Sequence, residues 1–137
     1  MSIQEYKYSD ITGKIISVAL EVHKTLKNGF VESVYHRSME VELRTTSLKV
    51  PSEFELPIYY KNQKVGARRV DFFVEDVIPV EIKATTQLED VHVAQALNYL
   101  EVFNLEVGLL INFGSKSLEV RRLYNTKYNR LLRQYNQ

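Results

Sequence analysis

Cysteine is absent from this 137-residue chain, which excludes disulfide staples and thiol catalysis and fits a reducing compartment. No stretch approaches the eighteen or so apolar residues of a spanning helix, and the opening Met-Ser-Ile-Gln-Glu-Tyr has neither a basic n-region nor an apolar h-region. A soluble, cytoplasmic protein that does not enter a membrane is the expectation. Net charge is nearly absent too, at +1, so an affinity for nucleic acid must come from local patches. Only three histidines occur, His23, His36 and His92, scattered through the chain, so a zinc site is not expected. Repeats and low-complexity tracts are also missing. What is there is 45% hydrophobic and 26% charged, enough apolar material for one domain with a real core and no room for a second.

The most informative stretch runs from Arg69 to Lys83 and predicts two short strands joined by a loop at Glu75, Asp76 and Val77. Alternation puts Val70, Phe72 and Val74 on one apolar face with Ile78, Val80 and Ile82. The other face carries Arg69, Asp71, Phe73, Pro79, Glu81 and Lys83, and a three-residue loop sets Asp71 opposite Glu81. Like charges directly across a ladder cost up to about 1 kcal/mol. A hard divalent cation such as Mg2+ offsets that cost, because it takes one or two carboxylates, keeps several waters and leaves room for a phosphate oxygen. Lys83, on the same face, would then lie beside the bound water or the phosphate. A solvated strand face with balanced charges is the bland alternative.

Upstream, Ile11, Ile15, Val18, Val22 and Leu26 form a helical stripe, with Ser9 or Asp10 as a cap and Asn28-Gly29 as a stop. A second helix is predicted from the Gly29–Tyr35 region to about Thr46. In it Glu32 falls within about 20° of Met39 and Leu43 on the helical wheel. Glu32 either faces water at the positive helix end or points inward as a third acidic group beside Asp71 and Glu81. From Glu53 to Tyr60 the pattern is a half-buried strand, placed near an edge by Pro57. Lys61-Asn62-Gln63-Lys64 turns it into the strand that reaches Asp71, so the first three strands are expected to form a meander. Lys61, Lys64, Arg68 and Arg69 cluster there, a solvated surface or an attraction for phosphates.

After Lys83, Thr86 and Glu89 suggest a capping box opening a helix to about Phe103, with His92, Gln95 and Tyr99 along one face. The apolar run Val107–Phe113 reads as a central strand reached by a helical crossover, and Leu118–Leu123 as a further strand. The expected order is helix, helix, three strands, helix, two strands.

Gly29, Glu32 and Tyr35, then Arg69-Val-Asp71-Phe72, Glu81-Ile-Lys83-Ala84, His92 with Gln95 and Tyr99, and Gly108-Leu-Leu-Ile-Asn-Phe-Gly114 together resemble the GxxExxY protein family of the PD-(D/E)XK nuclease superfamily. The resemblance covers roughly residues 10 to 125. It implies a restriction-endonuclease-like α/β core of the α+β type, with a central mixed β-sheet flanked by α-helices. By that resemblance Asp71 and Glu81 bind Mg2+ (or Mn2+), Lys83 activates or orients water, Glu32 is the glutamate of the preceding helix and Gln95 the glutamine of the following one. Val70 stands where the superfamily's name has proline.

On this reading His92 and Tyr99 support the cleft wall, and Arg69 joins them on the substrate side. The expected partner is nucleic acid, DNA ahead of RNA. The expected activity is metal-dependent hydrolysis of phosphodiester bonds; the alternative is a catalytically silent module on the same fold that binds nucleic acid or protein.

Residues 1–125 are taken as the nuclease-like domain and 126–137 as a basic, tyrosine-containing helix or tail. From Tyr124, Tyr128, Leu131 and Tyr135 recur near helical spacing, and six basic residues from Lys116 onward face Glu119 alone. The tail reads as a helix docked through its tyrosines, as a nucleic-acid contact, or as the interface of a homodimer.

Overall fold

The computed structural model describes residues 7–51 and 54–135. Two helices lead, α1 (Ser9–Leu26) and α2 (Glu32–Leu43). The strands β1 (Phe54–Tyr60), β2 (Gln63–Val70), β3 (Phe72–Val74) and β4 (Ile78–Lys83) follow, then α3 (Asp90–Val102), β5 (Val107–Asn112), β6 (Glu119–Tyr124) and the short α4 (Arg130–Tyr135). The central sheet has the order β3-β4-β5-β6, and β1-β2 is a separate two-stranded ribbon. β4 and β5 are parallel, the pairing that the α3 crossover requires, while β3-β4 and β5-β6 are antiparallel.

Each face of the central sheet has its own core. Ile78, Val80 and Ile82 of β4, with Val107, Leu109 and Ile111 of β5 and Phe72 and Val74 of β3, pack against Ile15, Val18 and Val22 of α1 and Tyr35, Met39 and Leu43 of α2. Phe73 and Leu110 pack on the other side against Ala96, Tyr99 and Leu100 of α3. The strands β4 and β5 are therefore nearly continuous apolar runs, as expected for strands covered on both faces.

The expected hairpin register holds: Val74 pairs with Ile78 across the loop Glu75-Asp76-Val77, and Phe72 with Val80, which sets Asp71 opposite Glu81. The expected continuous strand into Asp71 does not. The chain leaves β2 at Val70, bends at Asp71 and resumes in β3, so the meander is split between two sheets. Two-residue alternation fails across that bend. Val70 packs with the α3-side core rather than with Phe72 and Val74.

Helix starts also differ from the expectation. Ser9 and Asp10 lie inside the first turn of α1, preceded by Tyr8 in a left-handed conformation with φ 61°. Helix α3 begins not at Thr86 but after Glu89, whose backbone N–H donates to His92 Nδ1 at 3.0 Å. The imidazole thus takes the capping role expected of Glu89. Beyond β6, which contains Tyr124, asparagines tie the chain down. Asn125 donates to the carbonyls of Leu100 and Leu105 at 3.1 and 3.0 Å, and Asn104 and Asn129 bond each other reciprocally. Leu131 and Leu132 on α4 are exposed. Glu53, expected at the start of β1, lies outside the described residues.

Candidate active site

The bend at Asp71 and the end of β4 meet on the α3 side of the central sheet. One Asp71 carboxylate oxygen, Oδ2, accepts the backbone N–H of Ile82 at 2.9 Å, which locks the aspartate onto the strand that carries Glu81 and Lys83. The other, Oδ1, lies 3.9 Å from His36 Nε2. His36, one helical turn beyond Glu32, stacks on Phe72 with ring centroids 4.6 Å apart, and its Nδ1 is 3.0 Å from Glu40. Glu32 itself is exposed on the first turn of α2.

Glu81 is the electrostatic centre of the site. Burial, then the charge of Asp71 and a carboxyl–carboxyl contact with it, push the Glu81 pKa up to about 8, while Arg68 and Lys83 pull it down. Its Oε1 is buried with no hydrogen-bond partner among the described residues. A buried acceptor left without a donor costs about 1–3 kcal/mol. Beside it a small cleft is lined by Arg68, Glu81, Lys83, His92, Gln95, Ala96 and Leu110. Tyr99 closes the wall behind, its hydroxyl buried without a partner among the described residues and the Arg68 guanidinium 4.8 Å above its ring. Burial and the neighbouring Glu81 charge hold the Tyr99 phenol well above its ordinary pKa, so it is a donor throughout the neutral range.

The donor set fits a hard divalent cation. Two facing carboxyl groups, one with an orphaned oxygen, suit an ion that keeps most of its waters. No group of three His, Asp or Glu side chains converges to hold a metal among the described residues, so water or substrate would complete the coordination.

The loop after Lys83 is fixed by a fully buried amide. Asn112, paired with Lys83 across β4 and β5, accepts from the Thr85 and Gly114 N–H groups through Oδ1 at 2.9 and 3.0 Å. Its Nδ2 donates to the Thr85 carbonyl and to Glu119, each at 2.9 Å. Glu119 also accepts the Leu88 N–H at 2.9 Å. The hydrogen bond from Asn112, then those from Leu88 and Ser115, hold the Glu119 carboxyl below its usual range against a smaller cost of burial. A Cβ on Gly114 would lie 2.3 Å from the Thr85 carbonyl oxygen, so this crossing admits only glycine.

Of the residues singled out from sequence, Glu81, Lys83, Gln95 and His92 line one cleft, with Asp71 facing Glu81 and Tyr99 behind. Arg69 is exposed and pairs with Glu55 in the β1-β2 ribbon; Arg68 is the arginine that enters the cleft. Sequence reasoning missed Arg68 because the bend shifts the parity of β2, and it missed His36 because no second ligand stood at metal spacing. A single polar residue in the apolar run Val107–Phe113 was the available signal for Asn112.

No curated protein matches the chain. Among solved structures, that of SSO0001 superposes with a TM-score of 0.53 at 17% identity, covering 89% of this chain, and it shows the same fold. The chain spans only 62% of the SSO0001 chain. A family model described as the PD-(D/E)XK nuclease superfamily matches residues 9–123. Its mixed sheet flanked by helices is restriction-endonuclease-like, and with a match running from the start of α1 into β6 the chain belongs to the PD-(D/E)XK nuclease superfamily.

Proposed function

We propose that the chain is a metal-dependent nuclease of the GxxExxY kind, hydrolysing phosphodiester bonds in nucleic acid, with DNA as the first substrate to test. The observation that carries this reading is the pairing of Asp71 with a half-buried Glu81 whose Oε1 has no partner among the described residues, beside Lys83 in the same cleft. Asp71 and Glu81 would hold Mg2+ or Mn2+, and Glu32, on the first turn of α2, is assigned as a third acidic group acting through water. When bound, the ion lowers the pKa of coordinated water and offsets charge on the phosphate.

The chain's own groups supply the rest. In the hydrolysis a water oxygen bonds to phosphorus and gives up a proton to solvent, the bond to the leaving oxygen breaks, and that oxygen takes up a proton from solvent. Lys83, in the same cleft as Glu81, orients the water or donates to the phosphate as negative charge builds. Gln95, at the rim of the cleft, holds a phosphate oxygen or the Lys83 ammonium. Arg68 adds a second cation, kept flat by the Tyr99 ring. His36 braces the Asp71 side that Ile82 does not hold.

The test is Mg2+ and Mn2+ calorimetry on the intact chain and on Asp71→Asn, with cleavage of labelled single- and double-stranded DNA alongside. Binding and cleavage that vanish together in the variant support the reading. Nucleic-acid binding without metal affinity or turnover would instead favour a silent binding module.

A further inference from the structure

The β1-β2 ribbon lies outside the central sheet and packs on the α3-side core through Phe54 and Leu56. There Phe54 packs on Phe73 with ring centroids 4.7 Å apart, and Arg68 covers the Tyr99 ring. Its tip is held by a tight turn, with Lys61 and Asn62 at φ 46° and 65°, and by an irregularity in register beyond Ile58 that sets Tyr59 opposite Lys64. The tip exposes large apolar surface: Tyr59 is 62% exposed, Tyr60 63% and Val65 62%. Lys61 stands 5.4 Å over the Tyr60 ring.

Lys7, Lys49 and Lys127 elsewhere pair with Glu106, Asp76 and Glu101. Lys61 and Lys64, by contrast, make no ion pair among the described residues. The one carboxylate on the described ribbon, Glu55, lies near its base opposite Arg69.

We propose that this ribbon is a substrate arm that binds an unpaired nucleic-acid strand and leads it toward the cleft. Lys61 and Lys64 meet phosphates, and Tyr59 and Tyr60 stack on open base faces. Exposed aromatic faces beside unneutralised lysines form the combination that binds single strands, because stacking needs a base face that a duplex keeps covered. The arm is continuous with the cleft: Arg68, four residues from Lys64 on the same strand, lines it beside Glu81 and Lys83. The inference rests on the nuclease reading for what happens at the cleft, but the binding step can be measured without cleavage.

The experiment is fluorescence anisotropy of a labelled single-stranded oligonucleotide and of the matching duplex in EDTA, across a salt series. It uses the intact chain, Lys61→Glu/Lys64→Glu and Tyr59→Ala/Tyr60→Ala. These side chains are exposed, so an unchanged melting temperature and circular dichroism spectrum should confirm folding. Both double variants are expected to weaken single-strand binding at least about tenfold. The lysine variant should also flatten the slope of log affinity against log salt by about 1.4, from roughly 0.7 per phosphate contact.

Unchanged single-strand affinity in both variants overturns the arm. So does a loss confined to the lysine variant and equal on duplex, which would mean a general electrostatic contact. Cleavage in Mg2+ with an unaltered KM in the variants rejects the arm and leaves the nuclease reading standing. Arm-dependent binding with no cleavage by the intact chain does the reverse.

Discussion

On the α1–α2 side of the central sheet, Ile78, Val80 and Ile82 of β4 lie beside Val107, Leu109 and Ile111 of β5, all buried. On the α3 side the same two strands present Pro79, Glu81 and Lys83 beside Gly108, Leu110 and Asn112. One face is bound by hydrophobic burial, which is non-directional and tolerant of detail. The other places the Glu81 carboxyl at one level and the paired Lys83 ammonium and Asn112 amide at the next, groups whose bonding is directional. Alternation along a strand lets one β-ladder do both, with the rigid face fixing the backbone from which the reactive face projects.

The largest expected effect falls on the α3 face. Glu81→Gln should lower phosphodiester cleavage by at least about a hundredfold, since it removes half of the carboxylate pair while changing shape little. Its fold should be kept, measured by the thermal midpoint of the metal-free protein. Ile82→Ala, one residue along and on the opposite face, should invert that pattern. It is expected to cost about 2–5 kcal/mol of stability in urea titrations, with metal affinity retained in the folded fraction.

Acid–base behaviour sharpens the contrast. Glu81 holds its proton up to about 8 in the folded chain, against 4.5 for an ordinary glutamate. Between those values the folded state binds more protons than the unfolded one, so stability falls as pH rises. The contribution is fully present below about 4.5 and lost through about 8, and amounts to the order of a few kcal/mol. Glu119 has the opposite sign: its lowered pKa gives stability that is present above the ordinary carboxylate range and lost as pH falls through the folded value. Urea titrations from pH 5 to 9 without metal should show the decline, and Glu81→Gln should flatten it.

Gly114→Ala is expected to act on both faces of the comparison at a smaller scale. The added Cβ meets the Ala84-Thr85 backbone, so the loop after Lys83 must shift. We expect about 1–3 kcal/mol of lost stability together with a fall in cleavage rate, read from thermal melts and single-turnover kinetics.

Much of this division was legible in the sequence. Period-two alternation from Phe72 to Val74 and Ile78 to Lys83, with a three-residue loop, is enough to set Asp71 against Glu81. The same alternation misplaced Val70 and chose Arg69 over Arg68, because a backbone bend at Asp71 resets side-chain parity and no residue there signals it. The cap of α3 was misread for a related reason. Thr86 and Glu89 have the right spacing for a capping box, but Asn112 and Glu119 hold the Thr85–Leu88 segment outside the helix. Those bonds join residues far apart in the chain, which local patterns do not encode. The helical wheel allows Glu32 to face either water or the site; its side chain is exposed, while His36 one turn on approaches Asp71.

The central claim is that Asp71 and Glu81 form a cation site in which a metal replaces a proton. Mg2+ or Mn2+ titration by calorimetry at pH 7, in two buffers of different ionisation enthalpy, tests it directly. Binding is expected to release close to one proton per ion, and Glu81→Gln is expected to lose both binding and proton release. Absence of binding to the intact chain with a phosphodiester present, or binding that neither releases protons nor depends on Glu81, would contradict it.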